Sequence, residues 1–152
     1  MDESATQQEL ARLEAILLDP TRRAPVNLTR EWAFSFPREA GVYAWFEGPE
    51  LIYVGESGLL WERLDDARVT MHHSLRRSLG NERLCQLQGF AKVNNKTRFV
   101  PELESKLDEI LRTLLICAVS VRFGRKEFEE FMSAKHRPRY NKQEKRGAGV
   151  VA

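Results

Sequence analysis

The chain alternates between stretches with helical hydrophobic spacing and short runs rich in β-branched and aromatic residues. Residues 5–18 place Leu10, Leu13 and Leu17 on one helical face, and Asp19-Pro20 ends that helix. Helical spacing returns at residues 59–67, 74–87, 101–113 and 126–134. Apolar runs at residues 41–46, 50–55 and 114–123 predict three strands. This pattern predicts an α+β fold, with a small, mainly antiparallel three-stranded sheet flanked by helices.

The first two strands form a predicted β-hairpin. A three-residue loop at residues 47–49 would place Phe46 opposite Glu50 and Tyr43 opposite Tyr53. Glycines at the outer ends of Gly41-Val42-Tyr43 and Tyr53-Val54-Gly55 leave room for a backbone or a ligand to approach. The two tyrosines are therefore either a functional pair or ordinary half-buried strand residues.

The same pattern predicts the domain organisation. Residues 1–36 are expected to form an N-terminal helical arm packed on the domain, with irregular structure from Thr21 to Ala40. Residues 37–143 form the predicted domain, with a helical insertion at about 89–113, and residues 144–152 form a predicted flexible tail. Ser57 is the predicted N-cap of the helix that follows the hairpin.

Composition narrows the class of protein. The 152 residues are 42% hydrophobic and 30% charged, as in an ordinary globular domain. No apolar run reaches the roughly 18 residues of a membrane helix, and Met-Asp-Glu-Ser does not open a signal peptide, so we expect a cytoplasmic protein without a membrane partner. The two cysteines and three histidines show no zinc-ligand spacing. A net charge of +2 is too small to prove a nucleic-acid partner.

Several cationic residues are candidates for binding phosphate. Arg63 shares a helical face with Leu60, Leu64 and Ala67, which predicts that it points inward, where its forked guanidinium suits a phosphate beside the phenols. Other basic residues form either a surface that follows a phosphate backbone or a solvated face. The candidate nucleic-acid contacts among them are Arg76, Arg77, Lys135, Arg137, Arg139 and Lys142, and the predicted insertion adds Lys92, Lys96 and Arg98.

From about residue 40 to 142, the sequence resembles the GIY-YIG nuclease superfamily. The resemblance rests on motifs that stand in the family's order and spacing: Gly41-Val42-Tyr43, Tyr53-Val54-Gly55, Arg63, Glu129 and Asn141. The segment at residues 135–141 is similar to the close of the nuclease domain at the N-terminus of the bacterial excision-repair endonuclease.

The resemblance implies a GIY-YIG-like fold and hydrolysis of phosphodiester bonds, with DNA as the expected substrate. It implies that Glu129 holds a divalent cation, Mg²⁺ or Mn²⁺, and that Tyr43 activates the attacking water as a general base. Tyr53 would orient the water or phosphate, and Arg63 would stabilise charge on the phosphate. Asn141 would fix the local geometry or contact a phosphate. A second copy or a partner protein could supply specificity.

The sequence departs from the family pattern at two positions. Glu56 stands where many members carry lysine, and Ala67 where many carry histidine or tyrosine. His72 or His73 is either a substitute for the missing group or a surface residue at a helix start; His73-Ser74 resembles a His-Ser element of some homing endonucleases. Three interpretations stay open: an active endonuclease, a binding module of the same fold that cleaves poorly, and a structural domain without a nucleic-acid role.

Overall fold

The computed structural model describes residues 2–141, and within them the fold is α+β, as predicted. The helices are α1 (Glu3–Leu17), α2 (Arg30–Phe34), α3 (Leu60–Asp66), α4 (Ser74–Arg83), α5 (Pro101–Leu111) and α6 (Arg125–His136). The strands are β1 (Ala24–Pro25), β2 (Gly41–Glu47), β3 (Glu50–Ser57) and β4 (Leu115–Ser120). The predicted tail at 144–152, and Lys142, lie outside the described residues.

The described sheet has four antiparallel strands in the order β1-β4-β2-β3, so the prediction of three strands was wrong. The additional strand, β1, pairs Ala24 with Ile116 and Pro25 with Leu115. Two residues are too few to show the alternation that identifies a strand. Pro25 has no N–H to donate, and it is accommodated because β1 is an edge strand.

The stretch predicted to be irregular also contains a helix, α2. Thr29 caps this helix, since its Oγ1 accepts a hydrogen bond from the backbone N of Trp32 at 3.1 Å. The helix has five residues, too few to display a helical repeat. Trp32 and Ala33 are its buried residues, and they join the core beside Trp45.

Helices cover both faces of the sheet. Tyr43 and Trp45 of β2 belong to a core cluster shared with α2, α3, α4 and α5. Val42, Ala44 and Phe46 point the other way, into a cluster shared with α1 and α6. Six consecutive residues of β2 are therefore buried, which explains a continuous apolar run where alternation is usual. Among the described residues, no helix has both the length and the hydropathy needed to cross a bilayer.

The predicted register of the hairpin was wrong. The turn contains two residues, Gly48 and Pro49, and Glu47 pairs with Glu50. The pairing then shifts between Trp45 and Phe46, where β3 contributes an extra residue as a β-bulge. Beyond the bulge these changes move the register by two residues, so Tyr43 and Tyr53 still share a face because the strand period is two.

The start of α3 also differs from the prediction. Leu59 occupies the N-cap position, and no side chain caps the helix. The hydroxyl of Ser57, the predicted cap, instead accepts a hydrogen bond from the backbone N of Leu59 at 3.0 Å. The backbone N of Leu60 donates to the carbonyl of Glu39 at 2.8 Å, so the preceding segment takes over part of the capping role.

Candidate functional site

The corrected register places Tyr43 opposite Gly55, and Tyr53 opposite Trp45. The two tyrosines are diagonal neighbours on one face, with ring centroids 6.2 Å apart and planes inclined by 41°. Gly55 makes this arrangement possible, because a Cβ at that position would lie 2.4 Å from Cζ and Oη of Tyr43. The glycine therefore makes room for a tyrosine ring and not for a ligand.

Gly41 has a comparable steric role at the start of β2. A Cβ there would lie 2.2 Å from the carbonyl oxygen of Val119 and 2.6 Å from Cδ1 of Leu60. The position faces β4, which pairs with β2 at this end of the sheet, and α3. Close packing of β2 against β4 and α3 therefore requires glycine here.

Arg63 points inward from α3, as its shared face with three apolar residues predicts. Leu60, Leu64 and Ala67 are fully or almost fully buried. The Nε of Arg63 donates to Tyr43 Oη at 3.3 Å. One terminal nitrogen of the same guanidinium donates to the carbonyl of His72 at 2.8 Å. The side chain keeps 26% of its surface exposed, so a fixed positive charge reaches solvent beside a buried phenol.

His73 is buried among the rings of Tyr43, Trp45 and Tyr53. Its Nε2 lies 3.3 Å from Tyr43 Oη, and which atom donates depends on the tautomer. Its ring lies about 6 Å from the rings of Tyr43, Trp45 and Tyr53. Its Nδ1 is buried and has no hydrogen-bond partner among the described residues. Of the histidine pair, His73 therefore contacts the site, and His72 is exposed.

Burial sets the charge state of these groups. It raises the pKa of Tyr43 above the usual value for a phenol of about 10, and the neighbouring Tyr53 adds to the rise, while Arg63 opposes it. Burial also lowers the pKa of His73 well below its usual value, and the positive charges of Arg63 and Arg77 lower it further. At neutral pH, Tyr43 is a neutral phenol and His73 a neutral imidazole.

Glu129 and Asn141 reach the same region from the C-terminal part of the described chain. Glu129 lies on α6 and is 5% exposed. Both residues line a cleft of about 440 Å³ at the free edge of β3. The cleft is lined by Tyr43, Tyr53, Val54, Gly55, Glu56, Arg63, Ser74, Glu129, Tyr140 and Asn141. Five widely separated motif residues, Tyr43, Tyr53, Arg63, Glu129 and Asn141, are thus brought to one site.

Asn141 binds the exposed edge of β3 in the way that another strand would. Its Oδ1 accepts from the backbone N of Val54 at 3.0 Å, and its Nδ2 donates to the carbonyl of Val54 at 2.9 Å. The backbone N of Tyr140 also donates to the carbonyl of Ile52 at 2.9 Å. Of the two roles expected for Asn141, the structure therefore favours fixing the local geometry over contacting a phosphate.

Two further residues line the cleft without having been predicted. Ser74 follows His73 at the start of α4, and Tyr140 precedes Asn141. The hydroxyl of Tyr140 donates to Glu82 at 2.6 Å, which ties the segment to α4. Ser74 and Tyr140 are each adjacent in the sequence to a predicted site residue, and this adjacency is the signal that could have identified them.

One carboxylate that lines the cleft, that of Glu56, belongs to an ion pair. Glu56 accepts a hydrogen bond from Nε of Arg125 at 2.8 Å, which neutralises its charge. Within residues 2–141 there is no cluster of three or more histidine, cysteine, aspartate or glutamate side chains suited to a metal. A hard cation bound through the carboxylate of Glu129, with water and a substrate phosphate as its other ligands, does fit this donor set.

The candidate nucleic-acid contacts divide by exposure. Arg76 is 2% exposed and forms ion pairs with Glu104 and Asp108, both at 2.7 Å, so its predicted role as a nucleic-acid contact was wrong. The prediction failed because a count of charges does not show which face of a helix is buried. Arg77 is partly exposed, and its guanidinium donates to the carbonyls of Thr70 and Met71.

The basic C-terminal segment is partly neutralised. Lys135 pairs with Glu14 at 2.9 Å, and Arg139 pairs with Glu82 at 3.0 Å. Arg137 is exposed and has a left-handed backbone conformation with φ of 46°. The resulting free positive charge is smaller than the count of lysines and arginines indicates.

No family model, curated protein or solved structure matches this chain.

Proposed function

We propose that this chain is a metal-dependent endonuclease that hydrolyses phosphodiester bonds in DNA, with a GIY-YIG-like active site. One observation carries the proposal: Tyr43 Oη lies 3.3 Å from both Arg63 Nε and His73 Nε2, in a cleft that Glu129 also lines. A phenol between a permanent cation and an imidazole, beside a buried carboxylate, combines proton transfer with phosphate binding.

In this proposal, Arg63 binds the scissile phosphate. Its side chain is partly exposed and lines the cleft, while its hydrogen bonds to Tyr43 and the His72 carbonyl fix its orientation. A guanidinium held in place stabilises negative charge as it develops on the phosphate oxygens, with little reorganisation in the transition state. Tyr53 lies against Tyr43 and limits where the water and the phosphate can sit.

Proton transfer in this proposal needs both Tyr43 and His73. Because burial raises the pKa of Tyr43, the phenol holds its proton at neutral pH and is not a free phenolate base. It can accept the proton of the attacking water if it passes its own proton to Nε2 of neutral His73. The water oxygen then bonds to phosphorus as the bond to the leaving oxygen breaks, and the proton held at His73 returns through Tyr43 Oη and solvent to the leaving oxygen.

Glu129 is the proposed ligand of a divalent cation, Mg²⁺ or Mn²⁺. When bound, such a cation polarises the phosphate and favours departure of the leaving oxygen. Glu56 lines the same cleft, but its ion pair with Arg125 reduces its availability as a second ligand. The proposed protein ligand is therefore Glu129, the buried carboxylate of the cleft.

A second candidate function is a nucleic-acid-binding module that keeps the site but cleaves poorly. The raised pKa of Tyr43 favours this alternative, because less of the phenol is then present as phenolate, the form that can accept a proton. The pairing of Glu56 with Arg125 favours it as well, since one carboxylate is removed from metal binding. Under this alternative, the cleft binds a phosphate without hydrolysing it.

The proposal is tested by incubating the protein with supercoiled plasmid, single-stranded DNA, branched DNA and RNA, with Mg²⁺, with Mn²⁺ and with EDTA. Tyr43→Phe removes the hydroxyl that contacts Arg63 and His73, and we expect it to slow cleavage about 100-fold or more. Tyr140→Phe is the matched control, because it removes a cleft hydroxyl that contacts Glu82 instead.

Metal-dependent cleavage that Tyr43→Phe abolishes and Tyr140→Phe retains would support the enzyme and identify its substrate. Cleavage of none of the four substrates, with DNA binding that weakens steeply with salt, would instead support the binding module.

A further inference from the structure

A second concave site lies beside α3. It has a volume of about 350 Å³ and is lined by Phe34, Arg38 and Trp61. Trp61 and Arg63 are two residues apart on α3, so their side chains leave the helix on different sides. The helix therefore separates this site from the candidate catalytic cleft.

The site is built on two aromatic rings. Phe34 and Trp61 meet edge to face, with centroids 4.6 Å apart and planes inclined by 74°. Phe34 keeps 47% of its surface exposed, whereas most large apolar side chains in the described chain are buried. An apolar ring left at a concave surface is a common feature of ligand sites.

Two arginines flank the rings. The guanidinium of Arg30 lies 5.0 Å from the centroid of Phe34, and that of Arg38 lies 5.8 Å from the centroid of Trp61. Neither forms an ion pair or a hydrogen bond with any other residue between 2 and 141. Arg76 and Arg125, in contrast, are each paired with a carboxylate. The charge at this site is therefore available to an anion.

We propose that this site, which we call the stacking site (Phe34, Arg38 and Trp61, with Arg30 at its side), binds an unpaired nucleotide of single-stranded nucleic acid. A nucleobase would stack on the exposed ring, and the arginines would contact the adjacent phosphates. The inference rests on the proposed function, and it deepens that function by naming a substrate with a single-stranded segment.

The two sites lie on different sides of α3, so the strand has to cross only the width of one helix. A helix with its side chains is about 10–12 Å across, a width that a few nucleotides of single strand can span. A strand that occupies the stacking site thus passes α3 and reaches the cleft that contains Arg63 within a few nucleotides. A fully paired duplex has no free base face to offer the ring of Phe34.

The test is equilibrium binding of two probes, a single-stranded DNA oligonucleotide that contains 2-aminopurine and the matching duplex. Phe34→Ala is expected to weaken single-strand binding at least about fivefold and to reduce the fluorescence change that reports stacking. Phe34→Trp should retain both. Phe123→Ala is the matched control, because Phe123 is 91% exposed and lies outside both sites.

A second variant protects the test against a folding defect in α2. Arg38→Gln changes an exposed residue with no hydrogen bonds in the described chain, and it should weaken single-strand binding and reduce its salt dependence. Thermal unfolding of each variant checks that the fold is retained.

The outcomes separate the two proposals. Equal single-strand binding by wild type, Phe34→Ala and Arg38→Gln, or no binding of single strands at all, would overturn the stacking site. If the stacking site were overturned in this way, metal-dependent cleavage of DNA would still support the proposed function. Single-strand binding that is sensitive to Phe34 in a protein that cleaves nothing would keep the stacking site and reject the enzyme.

Discussion

At the scale of single residues, the proposed active site depends on the position of the Tyr43 side chain. Its ring lies over Gly55, its hydroxyl meets Arg63 and His73, and only 1% of its surface is exposed. A change that moves this ring would disturb every proposed step, since phosphate binding and proton transfer share its hydroxyl. Gly55 is the residue best placed to test that dependence.

We predict that Gly55→Ala displaces Tyr43, because the new Cβ would lie 2.4 Å from the phenol carbon and oxygen. The overpacked contact should lower the free energy of unfolding by about 1–3 kcal/mol. Nuclease activity should fall further than this loss of stability explains. Urea unfolding and initial cleavage rates measure the two effects.

Gly48→Asn is the control for the glycine substitution. Gly48 has φ of 57°, a conformation that asparagine tolerates, and a Cβ there would have no neighbour within 4 Å. The stability and activity of the Gly48→Asn protein should stay close to those of wild type. A Gly55→Ala protein as active as wild type would show that the Tyr43 geometry is not required.

The hairpin pattern singled out Tyr43, and helical spacing predicted that Arg63 faces inward, whereas Glu129 and Asn141 became candidates through the family resemblance. Residue types and spacing could not show that His73 contacts Tyr43, because strand β3 and helix α3 lie between the two residues in the sequence. Nor could they separate Arg76, which is buried in ion pairs, from its partly exposed neighbour Arg77. Such distinctions depend on tertiary packing.

At the scale of secondary-structure elements, the free edge of β3 is the feature that joins the hairpin to the end of the described chain. Tyr140 and Asn141 occupy the backbone hydrogen-bonding positions of Ile52 and Val54, where a further strand would otherwise pair. This pairing closes an edge that could otherwise associate with another chain. It also fixes the strand that carries Tyr53 and Gly55.

We predict that Asn141→Ala lowers the free energy of unfolding by about 2 kcal/mol, because the buried N–H and carbonyl of Val54 both lose their partner. Urea unfolding checks the prediction. Asn95→Ala, at the exposed tip of the loop before α5, should change stability by less than about 0.5 kcal/mol. An equal effect of the two substitutions would contradict the role assigned to Asn141.

The hairpin shows how far a pattern can predict an element. Apolar runs identified the strands, and the shared face of Tyr43 and Tyr53 was predicted correctly because the period of two survives an even shift of register. The turn length and the bulge decided the pairing of individual residues, and the apolar run Leu51-Ile52 carries no mark of a bulge. The two-residue strand β1 was missed for a similar reason: it is too short to have a period.

At the scale of the whole molecule, the numbers of basic and acidic residues are nearly equal, with 24 lysines and arginines and 22 aspartates and glutamates. Many of these charges hold elements together. Arg76 joins α4 to Glu104 and Asp108 of α5, and Arg83 joins α4 to Glu47 at the end of β2. The stability of the fold should therefore depend on the ionisation of these carboxylates.

We predict that stability decreases in acid and that Glu104 contributes to the decrease. Burial alone would raise the pKa of Glu104, but hydrogen bonds from Arg76 and Thr70 outweigh it, so the pKa is lowered. A carboxylate with a lowered pKa in the folded state stabilises the protein above its unfolded pKa of about 4.3. That contribution is lost as the pH falls through the folded pKa.

Urea unfolding at pH 7 and at pH 3 measures this dependence. Glu104→Gln should lower stability at pH 7 and flatten the change between the two pH values. Glu102→Gln, an exposed substitution on the same helix, should leave the change as in wild type. A wild-type pH dependence in the Glu104→Gln protein would contradict the assignment.

The most direct test of the central claim compares two neighbouring glutamates of α6 in a DNA cleavage assay with Mg²⁺. Glu129 is buried and lines the cleft, whereas Glu130 is exposed on the same helix. We predict that Glu129→Gln slows cleavage about 100-fold or more, as expected when one electrostatic stabiliser of a transition state is lost. Glu130→Gln should cleave as wild type does. Metal-dependent cleavage that is equally fast in both variants would contradict the assignment of this cleft as the active site.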